Sequence, residues 1–187
     1  MTPTRLPMYP PNIMKQDFTD TQIADFLRRS YFVVDGMWFI KTEEKRGFDE
    51  AMELDEAVWD VMCRVQARKA RELLGITGTS LHDLAGAFEL KLASEGHDYE
   101  IEATDNEARI TIRMCPWYEI LKSSGRTSMA RAIADRICAR EFAGWIREFS
   151  PDIKFSVEGR LCVPEDGCEQ CTLTFNHENT KKGEPLA

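Results

Sequence analysis

Apolar and polar positions along this chain follow two periods, and the switch between them divides it into helical and extended stretches. From Thr19 or Asp20, either one placed to cap a helix, Ile23, Phe26, Leu27, Tyr31, Val34, Trp38 and Phe39 recur at helical spacing. Gly36 is a candidate kink and Gly47 the end of that element. A second long helix is expected from about Asp49 to Gly75, with Met52, Leu54, Val58, Trp59, Met62, Val65, Ala70 and Leu73 on a broad apolar face. Ser80 opens a third, through Leu81, Leu84, Phe88, Leu90 and Leu92 to Gly96. The period then becomes two. Tyr99, Ile101 and Ala103 alternate with acids, and Ala108, Ile110, Ile112 and Met114 alternate with Arg109, Thr111 and Arg113, with Asp105-Asn106 as the hairpin turn. Helix returns after Pro116, pauses at Gly125 and resumes through Met129, Ile133, Ile137, Phe142, Trp145 and Ile146 to Pro151. A last strand pair is expected over 153–163 and 170–176.

These elements predict an α+β fold: a helical layer of four to five helices packed on a small antiparallel sheet of about four strands. Residues 1–16, with Pro3, Pro7, Pro10 and Pro11, read as an extended arm. Residues 17–176 form one domain, and 177–187 a frayed tail.

Composition narrows the function classes. Thirty-two acids against 24 Lys and Arg leave a net charge of −8, which argues against general nucleic-acid binding, where cations must gather on one face. No run of 18 apolar residues exists, so no membrane span is expected. The polar start Met-Thr-Pro-Thr-Arg-Leu-Pro lacks a signal-peptide core, and the default expectation is a cytoplasmic chain. In that compartment six cysteines read as thiols, ligands or catalysts before structural disulfides.

Three of those cysteines are close in sequence: Cys162, then Cys168 and Cys171 in a C-x-x-C pair, across a segment holding Pro164 and Gly167. Thiols so spaced converge readily on a zinc or iron ion, with His177, Cys115 or Cys138 as the fourth ligand. The competing readings are a disulfide between two of them, or simple core packing. Cys115 precedes Pro116 at the start of a helix, where free backbone N–H groups and the dipole favour a lowered thiol pKa, with Arg113 and Arg126 adding positive potential. Cys138 and Glu141, three apart on a helix, share a face and pair a thiol with a carboxylate; the plain alternative is a core cysteine beside a solvated acid. Asp35-Gly36-Met37-Trp38-Phe39 is a candidate pocket wall, though such a stripe is more often core. His82 and His97 read as surface residues.

Several segments carry a resemblance. Trp38-Phe39, Lys41-Thr42-Glu43-Glu44 and Gly47-Phe48 open it, followed by Trp59 and by Gln66-Ala67-Arg68 before Leu74-Gly75. Met114-Cys115-Pro116-Trp117, Leu121, Gly125-Arg126, Cys138 and Cys171 complete it. In order and spacing these resemble the L-2-amino-thiazoline-4-carboxylate hydrolase-like family and its uncharacterised relatives, over about residues 25 to 176. The resemblance implies hydrolytic opening of a thiazoline ring, and a fold similar to the 4-vinyl reductase domain, a small-ligand and metal-binding α+β module. The chain has Glu141 where that family places Asp, and Thr172-Leu173 where hydrolase-like members tend to read Asp-Phe. The additional Cys162 and Cys168 resemble the uncharacterised branch.

Two functions from different classes follow as expectations. One is a hydrolase-like enzyme for a small sulfur- or nitrogen-containing carboxylic acid such as a cyclic amidine. There Cys115, Cys138 and Glu141 do the chemistry, Arg113, Arg126 and Trp38 hold the substrate, and Cys162, Cys168, Cys171 and His177 bind the metal. The other is a non-catalytic small-molecule or metal-sensing module with a closed thiol site. A third, plainer reading is a helical interaction protein whose cysteines only pack. The wide apolar arcs of the first two helices fit a homodimer under any of them.

Overall fold

The computed structural model describes residues 16–177. The expected N-terminal arm and C-terminal tail lie outside the described residues, apart from Gln16 and His177 at their inner ends. Three helices lead. Helix α1, Asp20–Arg46, starts at Thr19, whose side chain and backbone exchange hydrogen bonds with Gln22 in a capping box. Helix α2, Phe48–Leu74, follows after one residue. That residue is Gly47, at φ 91°, a conformation open to glycine but strained for other residues. Helix α3, Leu81–Glu95, opens on a second capping box, Ser80 with Asp83. These bounds agree with the helical periodicity to within about two residues.

The sheet has the order β1-β2-β4-β3, antiparallel throughout, from β1 (Asp98–Ala103), β2 (Glu107–Met114), β3 (Ile153–Glu158) and β4 (Cys171–His177). Thr104 closes the first hairpin by accepting from the Asn106 and Glu107 amides through its hydroxyl. The last strand pair differs from expectation. β3 ends at Glu158, not 163, because Gly159 turns the chain at φ 73°, and residues 159–170 form a loop with a short 3-10 turn at Pro164–Asp166. Between the hairpins lie α4 (Pro116–Ser123) and a rod built of α5 (Ala130–Ile133), a π turn (Ala134–Cys138) and α6 (Ala139–Arg147). The architecture is α+β, helices against a four-stranded antiparallel sheet.

Two apolar clusters hold these layers. In the larger, Leu84 and Phe88 of α3, Trp145 of α6 and Leu173 and Phe175 of β4 are almost fully buried. The smaller joins Met52 and Trp59 of α2 to Ile137 of the π turn, with Tyr31 and Trp117 packed against them. Trp117 stands edge-on to Tyr31, Phe32 and Trp59, tying α4 to the α1–α2 hairpin.

Helices α2 and α6 approach so closely at one point that a side chain has no room. A methyl group built on Gly144 would overlap the sulfur of Cys63, itself fully buried. Gly144→Ala should therefore cost about 1–2 kcal/mol in urea unfolding, as overpacking does. Adding Cys63→Ala, which removes the obstructing sulfur, should recover part of that loss; equal stability of Gly144→Ala and the parent would contradict the close approach.

Candidate active site

The chemistry-bearing side chains gather around one cavity of about 540 Å³ between the two apolar clusters. Phe88 and Leu173 line it from the larger cluster, and Trp59, Phe39, Ile137 and Trp117 from the smaller. Its volume suits a small organic molecule. Two sets of polar groups interrupt the apolar wall, one of thiols and one of charges.

The thiols are Cys115, Cys138, Cys162 and Cys171. Sheet register brings two of them to one end: β2 pairs Ile112 with Cys171 of β4, and Cys115 lies three residues beyond Ile112. The π turn ends on Cys138, and the 159–170 loop returns Cys162 beside Cys171. The four are near enough to feel one another's charge. They differ sharply in acidity. A hydrogen bond from the Cys162 thiol lowers Cys171 to about 7 against the opposing effect of burial, helped by the Leu161 and Cys162 amides and by Arg160. Cys162 is correspondingly raised, first by that shared hydrogen bond and then by burial. Burial pushes Cys115 up to about 11, although the Trp117 and Tyr118 amides pull the other way. The helix-start effect expected at Cys115 is real but smaller than its desolvation, so the expected lowering is corrected to a rise. Cys138 is also raised, by burial and then by Glu141.

A direct test follows from this pairing. The alkylation rate of Cys171, followed peptide by peptide, should show a midpoint near pH 7. In Cys162→Ala, which loses the donated hydrogen bond, the midpoint should climb toward the ordinary thiol value of about 8.5. An unmoved midpoint would rule out the pairing.

The charged set centres on Lys91. Its ammonium is buried, 2.7 Å from Glu95 Oε2 and 3.0 Å from Glu141 Oε1. Burial opposes the charge on Lys91, but Glu141 and Glu95 together outweigh it and raise its pKa. Glu141 is raised by burial despite Lys91. Trp117 Nε1 donates to Glu95 Oε2 at 3.3 Å. Three buried polar atoms here lack a hydrogen-bond partner: Glu95 Oε1, His97 Nδ1, and Glu141 Oε1, whose contact with Lys91 is not aligned as a hydrogen bond. His97, 3.8 Å from Glu95 Oε2, is driven down to about 4 by burial and by Lys91, so its ring is neutral at pH 7. On the opposite wall Asp35 of α1 is raised to about 6 by burial and Glu95, and Asp55 of α2 to about 7 by burial and Asp35.

The expected site residues divide accordingly. Cys115, Cys138, Glu141, Arg126, Cys162 and Cys171 line the cavity, as do Asp35, Gly36 and Phe39 of the candidate pocket wall. Arg126 is already ion-paired with Glu43. Trp38 is 72% exposed, because α1 turns it and Met37 away from the cavity. Arg113 is half exposed on the sheet and pairs with Glu100 across β1 and β2, so it is not placed to hold a ligand there. Cys168 packs over Gly159, its sulfur 3.3 Å from the Asp166 carbonyl oxygen, and does not line the cavity. His177 sits at the far end of β4 from Cys171, about 20 Å away at the usual rise per residue. Of the expected metal set, Cys162 and Cys171 thus meet while Cys168 and His177 stand apart. Among the described residues no group of three or more His, Cys, Asp or Glu is disposed to hold a metal ion. Six free thiols also leave no disulfide.

His97, expected at the surface, is instead buried on the cavity wall, where the turn after Gly96 brings it back against α3. Lys91, Glu95 and Asp55 are not singled out by the sequence, yet a signal for the first two is present. Leu81, Leu84, Phe88, Lys91 and Glu95 are spaced three and four apart, so both charges sit in the apolar stripe of α3. A charged pair in such a stripe is a buried pair. One family model, described as a family of unknown function (DUF6125), matches residues 13–176. No curated protein and no solved structure matches the chain.

Proposed function

The chain belongs to the DUF6125 family, of unknown function, and from its cavity we propose that it binds a compact, ring-bearing small molecule carrying a basic nitrogen. One observation carries this reading: the buried acceptors on the cavity wall outnumber the donors that serve them. Among the described residues that line the cavity, Asp35, Asp55 and Glu141 share three cations, and each of these is already paired: Lys91 with Glu95 and Glu141, Arg126 with Glu43, and Arg160 with Asp135 and Asp166. On the wall, His97 Nδ1 has no hydrogen-bond partner and Glu141 Oε1 has only its ion pair with Lys91; Glu95 Oε1, behind the wall, is likewise unpartnered. A protonated amine or amidine supplies both the charge and the N–H groups, and the aromatic rings around it accept a flat ring.

A hydrolase-like activity on a small nitrogen- or sulfur-containing acid is the second reading, favoured by Cys171. A thiol titrating near 7 on the wall of a ligand-sized cavity suits a nucleophile. The resemblance to the thiazoline-carboxylate hydrolase-like family points the same way, with Glu141 as proton carrier. No step is routed through zinc or iron, since Cys168 and His177 stand apart from Cys162 and Cys171 and no group of three or more His, Cys, Asp or Glu among the described residues is disposed to hold a metal ion.

The experiment is a thermal-shift panel of small cyclic amines and amidines against neutral and purely anionic rings of the same size. The basic compounds should raise Tm, and Asp35→Asn/Asp55→Asn should remove that rise. An equal response to neutral rings would overturn the binding reading. Incubation of responding compounds with the parent and Cys171→Ser then separates binding from turnover: loss of product with binding retained supports the enzyme, and no product from either supports the binding module.

A further inference from the structure

Helices α1 and α2 are each about 40 Å long, by the helical rise of 1.5 Å over 27 residues. Only one side of each is covered. In α1 Phe32 is buried and Tyr31, Asp35 and Phe39 are partly so, all on the arc that faces α2, α4 and the cavity. The opposite arc is also apolar. Ile23, Leu27, Val34, Met37 and Trp38 stand on it, each roughly half to three-quarters exposed, and no charged residue interrupts them until Lys41. In α2 the same holds for Leu54, Val58, Val61 and Val65, spaced four, three and four. All but three of the exposed large hydrophobic side chains among the described residues belong to these two helices; the others are Phe18, Ile120 and Val157. A helix with apolar arcs on two opposite sides is one that expects cover on both.

We propose that the outer face of the α1–α2 hairpin is the interface with a second copy of this chain, the two hairpins joining as a four-helix layer. The spacing of the stripes is the first argument. Three-and-four repeats on both helices are what interlocking helices present to one another, and a face that carries them meets its match in a copy of itself. Area is the second. From their fractional exposures, these side chains offer roughly 1,000 Å² or more of apolar surface per copy, against about 800 Å² per partner in a standard stable interface. The third concerns the other candidate cover, residues 1–15. Fifteen residues reach at most about 50 Å even fully extended, too little to cover two 40 Å stripes. Against a lipid surface as the occupant, the net charge of −8 disfavours an anionic one.

Dimerisation by this face would also reach the cavity, since the inner arcs of the same helices place Asp35, Phe39, Asp55 and Trp59 on its wall.

Sedimentation velocity of the full chain, from about 1 to 100 μM, is the test. The parent should run with the mass of two copies. Val34→Glu/Val58→Glu, both changes at exposed helix positions, should run as a monomer with an unchanged circular dichroism spectrum. A parent monomeric throughout the range, or an open series of larger species, overturns the proposal; so does a dimer that survives both glutamates. Should the double variant fail to fold, Val61→Lys alone in the same measurement decides, by a dissociation constant raised at least tenfold or left unchanged. A parent monomer that floats with zwitterionic vesicles would assign the face to lipid instead.

Discussion

Lys91→Met should lower the stability of this chain by about 3–5 kcal/mol at neutral pH, the cost of breaking a buried ion pair by removing one partner. Lys91 lies buried between two carboxylates that are themselves buried, with Glu95 at 2.7 Å and Glu141 at 3.0 Å. Without the ammonium both acids lose their compensating charge, and each must either take a proton or hold an isolated charge in apolar surroundings. A domain of this size has about 5–15 kcal/mol in total, so the loss is a large share of it. The variant should recover part of its stability as the pH falls and the two carboxyls protonate. Lys91→Met/Glu141→Gln should be more stable than Lys91→Met alone, since one of the two orphaned charges is gone and Glu95 keeps its bond from Trp117. Urea unfolding followed by tryptophan fluorescence measures all three. A Lys91→Met loss below about 1 kcal/mol would mean that water reaches the site freely and that the charged set is not a buried one.

The second large effect is one of pH and comes from the acids on the opposite wall. Asp35 and Asp55 keep their protons to about 6 and about 7, well above an unfolded aspartate. Well below pH 4, both states of the chain are protonated and these groups cost nothing. As the pH rises from there to about 7 the unfolded chain ionises while the folded one resists, so the unfolded state is favoured progressively. Above 7 the whole penalty is present. Both side chains retain some contact with solvent, so the full shifts overstate it. Together they amount to something on the order of 2–4 kcal/mol after that discount. Asp35→Asn/Asp55→Asn should therefore raise Tm at pH 8 by clearly more than at pH 4.5, where only a minor part of the penalty is present. Parallel Tm-against-pH curves for parent and variant would show that the two acids ionise freely in the fold. A bound cationic ligand should flatten the same curve, because it stabilises the charged carboxylates.

How much of this was legible in the sequence depends on the range of the interaction. The helices of the first half were, because capping residues, glycine stops and helical spacing are local signals. The first hairpin was legible for the same reason. The meeting of Cys115 with Cys171 was not: it depends on β2 pairing with β4 across nearly sixty residues, and nothing near either cysteine encodes that register. Cys168 misled because C-x-x-C spacing allows convergence without enforcing it, and here Cys171 begins a strand while Cys168 stays in the loop. Trp38 misled because α1 is apolar on both sides, and one sequence does not say which side turns inward. Lys91 and Glu95 were legible in principle, as charges out of place in an apolar stripe.

The π turn at Ala134–Cys138 carries one more consequence, for comparison between relatives. Its wider turn holds one residue more than an α-helix would over the same rise, which offsets everything after it by about 100° relative to Ala130. Cys138 and Glu141 reach the cavity on the far side of that offset. A relative whose helix is regular here would carry one residue fewer, and a gapless alignment would then match its cysteine to a position one face away. Relatives should therefore be aligned through this rod by what lines the cavity, with a single-residue gap allowed inside the turn, before any cysteine is scored as kept or lost.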